Sequence, residues 1–383
     1  MPGLLSNVDP DGLLEFSVVY TDRALNHMSQ RFQGVMNDIS RILKEVYHAK
    51  SAVLVPGSGT FGMESVARQF ATGKKALVLR NGWFSYRWSQ IFDMGSIPAE
   101  TIVLKARRVN HSPQAAWIPC PVAEVVATIL ANKPDVVFAP HVETSAGMIL
   151  PDDYLRTVSD AVHDVGGLMV LDCIASGAIW VDMETTGVDV LISAPQKGWS
   201  GSPACAMVML SARARAAIDG TTSSSFACDL KKWLQIMETF EGGGHAYHTT
   251  MPTDALALLR DVMEETRAYG FEKVRAEQIA LGAKVRSLFE SRGIVSVAAE
   301  GFKAPGVVVS YTTDPGMQNS KKFLELGLQT AAGVPLQCDE PADFSTFRIG
   351  LFGLEKLHNV DRSVEQLAVA LDHLGIVAQA KAA

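Results

Sequence analysis

The sequence predicts an α/β protein in which a mostly parallel sheet lies between helices and is followed by a smaller C-terminal α+β unit. Three observations carry that expectation. Between about residues 50 and 210, short apolar runs rich in β-branched residues alternate with longer amphipathic ones. Those apolar runs are continuous, as strands covered on both faces must be. Beyond them, 254–288 is rich in Ala, Leu, Glu and Arg and is followed by shorter strand-like and helix-like stretches.

In chain order, the expected strands are 52–55, 76–79, 101–104, 136–139, 168–171, 188–192 and 206–210, with helical patterns at 63–70, 122–130 and 154–165 between them. The 254–288 stretch reads as two long helices broken near Gly270. Short strands at 294–297, 306–310 and 346–350 and helical segments near 320–328 and 360–374 complete the second unit. The first thirty or so residues show no strong periodicity. The expected division is an N-terminal segment over 1–34, a large domain over 35–270 and a small domain over 271–383, with the boundary falling between about 265 and 285.

Composition narrows the function. The 383 residues are 48% hydrophobic and 20% charged, which excludes disorder and fibrous repeats. A net charge of -7 gives no global attraction for nucleic acid or an anionic membrane and favours a small soluble ligand. No window reaches the roughly 18 apolar residues of a membrane-spanning helix, and Met1-Pro2-Gly3-Leu4-Leu5 does not resemble a secretory signal. The five scattered cysteines lack paired metal-ligand spacing, so no metal is expected, and free thiols suit a reducing cytoplasm.

Three features could carry chemistry. Pro56-Gly57-Ser58-Gly59-Thr60 joins the first strand to a helix expected near Phe61. Its small residues and the helix N-terminus suit a phosphate, although an ordinary strand-to-helix turn has the same composition. Leu168-Met169-Val170-Leu171-Asp172 is an apolar strand ending in a carboxylate, which would face the crevice where open α/β sheets bind ligands, or merely cap a turn. Lys197 stands between two apolar runs, where desolvation would lower its pKa and make it a nucleophile. Phosphate cradle, strand-terminal Asp and lysine, in that order, are what pyridoxal phosphate requires: an anchor, an acid for its ring nitrogen and an amine for its aldehyde.

From these motifs the chain resembles the class V aminotransferases of fold type I, in particular the alanine–glyoxylate and serine–pyruvate branch, over roughly residues 35–375. Ser193-Ala194-Pro195-Gln196-Lys197 matches the family's Ser-x-x-Gln-Lys around the cofactor lysine. The resemblance implies that Asp172 pairs with the ring nitrogen, that Ile174 packs on a ring face and that Ser58, Gly59 and Thr60, with Glu64 after them, form the phosphate turn. Asn81-Gly82-Trp83-Phe84 is similar to the segment whose fourth residue stacks on the cofactor, favouring Phe84 over Trp83. In His141-Val142-Glu143-Thr144-Ser145-Ala146-Gly147, Thr144 corresponds to the hydroxyl that binds the ring 3-oxygen. Tyr247-His248-Thr249-Thr250 is similar to a segment that reaches the neighbouring subunit's phosphate, so Tyr247 and Thr250 would complete the partner's site in a homodimer. Phe347-Arg348-Ile349-Gly350 is similar to the motif whose arginine grips the substrate carboxylate in a bidentate fork.

The implied reaction is transfer of the amino group of a small amino acid of alanine or serine type to a 2-oxo acid such as glyoxylate or pyruvate. Lys197 would hold the cofactor and move the α-proton. Three alternatives stand beside it. A cysteine desulfurase or related lyase usually carries His where this chain has Gln196 and needs a reactive loop cysteine, for which Cys338 is the candidate. A 2-aminoethylphosphonate transaminase typically has Asn at that position. A non-catalytic sensor tends to lose the lysine, the aspartate or the arginine, and all three are present here. The branch's Gly-Pro-Gly-Pro-like start is replaced by Asn7-Val8-Asp9-Pro10-Asp11-Gly12, so the segment expected near the active site or the small domain departs from the family pattern.

Overall fold

A computed structural model describes residues 13–378. The central sheet has seven strands in the order Ser51–Pro56, Cys205–Leu210, Val190–Ser193, Leu168–Asp172, Val136–Pro140, Lys75–Arg80 and Glu100–Lys105. The last five run parallel, and Cys205–Leu210 is antiparallel to both of its neighbours. Two successive antiparallel pairings return Ser51–Pro56 to the direction of the parallel set. Its carboxyl end, the Gly57–Thr60 turn, therefore lies on the same edge as Asp172. Every residue of Val136–Pro140 and Cys205–Leu210 is buried, as their unbroken apolar runs require.

Helices Gly59–Phe70, Trp83–Gly95, Val122–Asn132 and Asp152–Asp164 alternate with these strands. The first of them begins at Gly59, two residues before the expected Phe61. Ahead of the sheet runs Gln30–Tyr47, where the Ser29 hydroxyl accepts from the Phe32 amide at 3.1 Å, a cap worth about 1 kcal/mol. Its buried stripe of Phe32, Val35, Met36, Ile39 and Leu43 faces the core. That helix packs on Leu230–Glu241 and Thr253–Tyr269. Gly270, at φ +106, turns the chain between Thr253–Tyr269 and Phe271–Glu290 in a conformation that side chains disfavour.

A second, three-stranded antiparallel sheet has Thr346–Gly350 between Val307–Tyr311 and Ala331–Ala332. Val307 and Val309 pack with Val142, Ala146 and Met148 in a separate apolar cluster. This cluster fastens the small sheet to the hairpin formed by Val142–Glu143 and Met148–Ile149. The expected strand at 294–297 is reduced to one bridge between Ser296 and Ser310. Its hydrogen bonds are divided: the Val297 amide donates to Val309, while its carbonyl accepts from Trp117.

Candidate active site

A cavity of about 490 Å³ opens where the carboxyl ends of the large sheet meet the small one. Ser58, Gly59, Thr60, Phe84, Thr144, Asp172, Ile174, Gln196, Lys197 and Arg348 all line it. Five segments deliver all of them but Arg348: the Gly57–Thr60 turn, the start of Trp83–Gly95, the hairpin, the Leu168–Asp172 strand with its continuation, and the loop after Val190–Ser193. Arg348 arrives from the central strand of the small sheet.

Close packing explains some residue choices. A side-chain carbon on Gly59 would stand 2.5 Å from Ile174 Cδ1 and 3.3 Å from Ala194 Cβ, so a larger residue there would displace the Ile174 side chain, two residues past the Asp172 strand. Phe84 faces the cavity, whereas Trp83 packs on Tyr86 with ring centroids 6.0 Å apart. Glu143 fixes both the Phe84 and the Thr144 segments. Its carboxylate accepts from the Phe84 and Ser85 amides at 3.2 and 2.9 Å, from the Ser145 amide at 3.1 Å, and from the Ser85 and Ser145 hydroxyls, each at 2.7 Å. A buried carboxylate at a helix N-terminus is well placed when its lone pairs are filled this way.

Burial dominates the electrostatics. It pushes the Asp172 carboxyl up to about 6, against a hydrogen bond of 2.9 Å from the Ile174 amide that favours ionisation. Lys197 is held below the ordinary lysine range, first by burial and then by the Arg348 charge. Its Nζ lies 5.3 Å from the Phe352 ring centroid. Burial also lowers Arg348, opposed by Glu143. The Arg348 Nε donates to the Ala332 carbonyl at 2.7 Å, and the guanidinium carbon lies 5.4 Å from the centroid of Phe84.

Some residues named from the sequence lie outside this cavity. Tyr247 and Thr250 do not line this chain's cavity; their hydroxyl oxygens are 3.2 Å apart, and Tyr247 is 53% exposed. Glu64 is bound by Arg68 one helical turn on. Asn7–Gly12 lie outside the described residues. The chain after them reaches the 245–254 stretch, where the Tyr20 hydroxyl donates to the Met251 carbonyl at 3.1 Å and His27 neighbours His245 and Tyr247. Sequence reasoning missed Arg87, Glu143 and Phe352. Arg87 could have been found from its spacing, three residues beyond Phe84 on a helix. Among the described residues no His, Cys, Asp and Glu group could hold a metal, and no helix is long and apolar enough to cross a membrane.

No family model matches the chain. It is 27% identical over 337 residues to a 2-aminoethylphosphonate–pyruvate transaminase of Burkholderia lata, covering 85% of each. It is 24% identical over 364 residues to the alanine–glyoxylate aminotransferase of Rattus norvegicus, covering 92% of this chain and 83% of that one. The solved ureidoglycine–glyoxylate aminotransferase of Bacillus subtilis superposes with a TM-score of 0.77 at 20% identity, covering 96% of this chain and 90% of the other. The chain has the aminotransferase fold. Within that fold, Cys338 is a poor desulfurase nucleophile. It is buried, its Sγ sits 3.3 Å from the Arg80 carbonyl, and burial pushes the thiol up to about 12.

Proposed function

We propose that the cavity binds pyridoxal 5'-phosphate and that the protein is an aminotransferase passing the amino group of a small amino acid, of alanine or serine type, to a 2-oxo acid such as glyoxylate or pyruvate. The observation that carries this reading is the convergence of Lys197, Asp172, Arg348 and the Ser58–Thr60 turn on one cavity. The donor set fits the cofactor. The Ser58 hydroxyl caps no amide of the helix it precedes and remains available to a phosphate. Asp172 is a buried carboxylate suited to a cationic ring nitrogen, and Phe84 and Ile174 offer apolar surface to two ring faces.

Bound there, the cofactor supplies an aldehyde for the amine and an electron sink for the α-carbon. Lys197 would present its amine to the aldehyde, its pKa lowered by burial and by Arg348, and would carry a proton to and from the α-carbon. Asp172 would face the ring nitrogen as its acidic partner. Thr144 would bond the ring oxygen, Gln196 would border the cofactor beside Lys197, and Arg348 would hold the substrate carboxylate.

We further read residues 35–270 as the cofactor domain and 271–383 as the small domain. Gly270 supports the division, since the helix before it packs on Gln30–Tyr47 and the helix after it on Val360–His373. A homodimer, with Tyr247 and Thr250 reaching the partner's cavity, accords with their surface position. The five unpaired cysteines accord with a cytoplasmic setting.

Transamination of 2-aminoethylphosphonate is the second reading, favoured by the Burkholderia lata relative. A screen of alanine, serine and 2-aminoethylphosphonate as donors, with glyoxylate and pyruvate as acceptors, separates the two. In the same assay Lys197→Ala should lose both the yellow colour and turnover. Survival of both would end the proposal.

A further inference from the structure

We propose that Arg87 anchors the cofactor phosphate from within the same chain, an inference that rests on reading the cavity as a pyridoxal-phosphate site. Arg87 lies three residues beyond Phe84 on Trp83–Gly95, so the two side chains leave the same face of the helix. Its Nη1 donates to Thr60 Oγ1 at 3.1 Å, which puts the guanidinium beside the start of Gly59–Phe70. Among the described residues Arg87 makes no ion pair, and most of its N–H groups remain available.

Charge balance points the same way. Arg87, Lys197 and Arg348 line the cavity, and Asp172 is the one carboxylate among the lining residues. Lys197 is committed to the aldehyde and Arg348 to the substrate carboxylate, which leaves one cation without an assignment. The two guanidinium carbons lie 5.3 and 5.4 Å from the Phe84 ring centroid, with Arg87 at the Thr60 end and Arg348 on the small sheet. A ligand with a phosphate near Thr60 and a carboxylate near Arg348 answers both. Arginine suits the first task because its planar fork donates two parallel hydrogen bonds to phosphate oxygens. The turn would then hold the phosphate with a full positive charge as well as amide and hydroxyl dipoles.

The test compares two ligands that differ only in the phosphate. Apo-protein of the wild type, Arg87→Gln and Arg87→Lys is titrated with pyridoxal 5'-phosphate and separately with pyridoxal, following tryptophan fluorescence. Loss of a charge-assisted bond should weaken pyridoxal phosphate about tenfold or more in Arg87→Gln, leave pyridoxal within about twofold, and be partly restored in Arg87→Lys. Inorganic phosphate should compete with pyridoxal phosphate in the wild type and lose that effect in Arg87→Gln. The inference is overturned if both ligands weaken together, if neither does, or if cofactor affinity holds while the KM for the amino donor rises. A wild-type protein that captures neither ligand would instead refute the reading of the cavity.

Discussion

Replacing Asp172 by Asn should remove a cost that the native apo-protein bears for its active site. Burial raises the carboxyl from 3.8 to about 6, so the folded chain holds that proton more tightly than the unfolded chain. Between those two values the native state binds more protons, and stability falls as pH rises through the window. The cost is absent at low pH and complete above about pH 6. At roughly 1.4 kcal/mol per unit, it reaches about 3 kcal/mol. The side-chain amide of the Asp172→Asn variant cannot ionise, so the stability of the variant minus that of wild type should grow by about 2 kcal/mol between about pH 4.5 and about pH 8.

Urea unfolding of both apo-proteins across that range measures the difference, with equal m-values as the check that only stability has changed. A flat difference, or one that shrinks as pH rises, would refute the account of Asp172 as a desolvated carboxylate. Saturating pyridoxal phosphate should reverse the ranking by giving the carboxylate a cationic partner. The wild type then gains more from the ligand than the variant does.

The other two predictions concern residues that do not line the cavity. In Glu143→Gln an amide N–H faces donors that the carboxylate accepted, and the remaining bonds lose their charge. The expected loss is about 3 kcal/mol of unfolding free energy, together with weaker cofactor binding, and a loss under about 1 kcal/mol would show that the clamp is dispensable. Cys338→Ala should cost about 1 kcal/mol of stability by leaving a small void and should not alter turnover. Turnover that collapses in a folded Cys338→Ala protein would favour the lyase chemistry.

Strands were legible wherever burial on both faces forced a continuous apolar run, as at Val136–Pro140 and Cys205–Leu210. The antiparallel direction of Cys205–Leu210 was not, because direction depends on the connection and not on strand composition. Gln30–Tyr47 carries its own signal in the spacing of Phe32, Val35, Met36, Ile39 and Leu43, but adjoins an aperiodic stretch that obscured it. The 294–297 stretch shows the converse failure. Its β-branched residues suit a strand, yet its hydrogen bonds go to two different partners. Cavity-lining residues were legible where chemistry and local spacing coincide, as at Lys197 and Asp172. Glu143 was not, since its role arises from the meeting of the hairpin with Trp83–Gly95, two segments far apart in sequence.

The net charge of -7 illustrates the same limit on the electrostatic side. Judged by that sum, an anionic cofactor and an anionic substrate should be repelled. Surface charges are screened over roughly 8 Å at physiological salt, however, so most of the acidic excess does not reach the cavity. There the local balance has the opposite sign, with Arg87 and Arg348 against Asp172 even before Lys197 is counted. Because the groups are partly desolvated, each of those charges acts more strongly than one in water. Burial is the larger cause of the depressed Lys197 pKa, and the Arg348 charge adds to it. The Arg348 charge that favours an anion at the site also favours the neutral form of the lysine amine. Removing Arg348 should therefore cost the proposed carboxylate contact and also raise the Lys197 pKa partway, with burial still holding it below the ordinary lysine range.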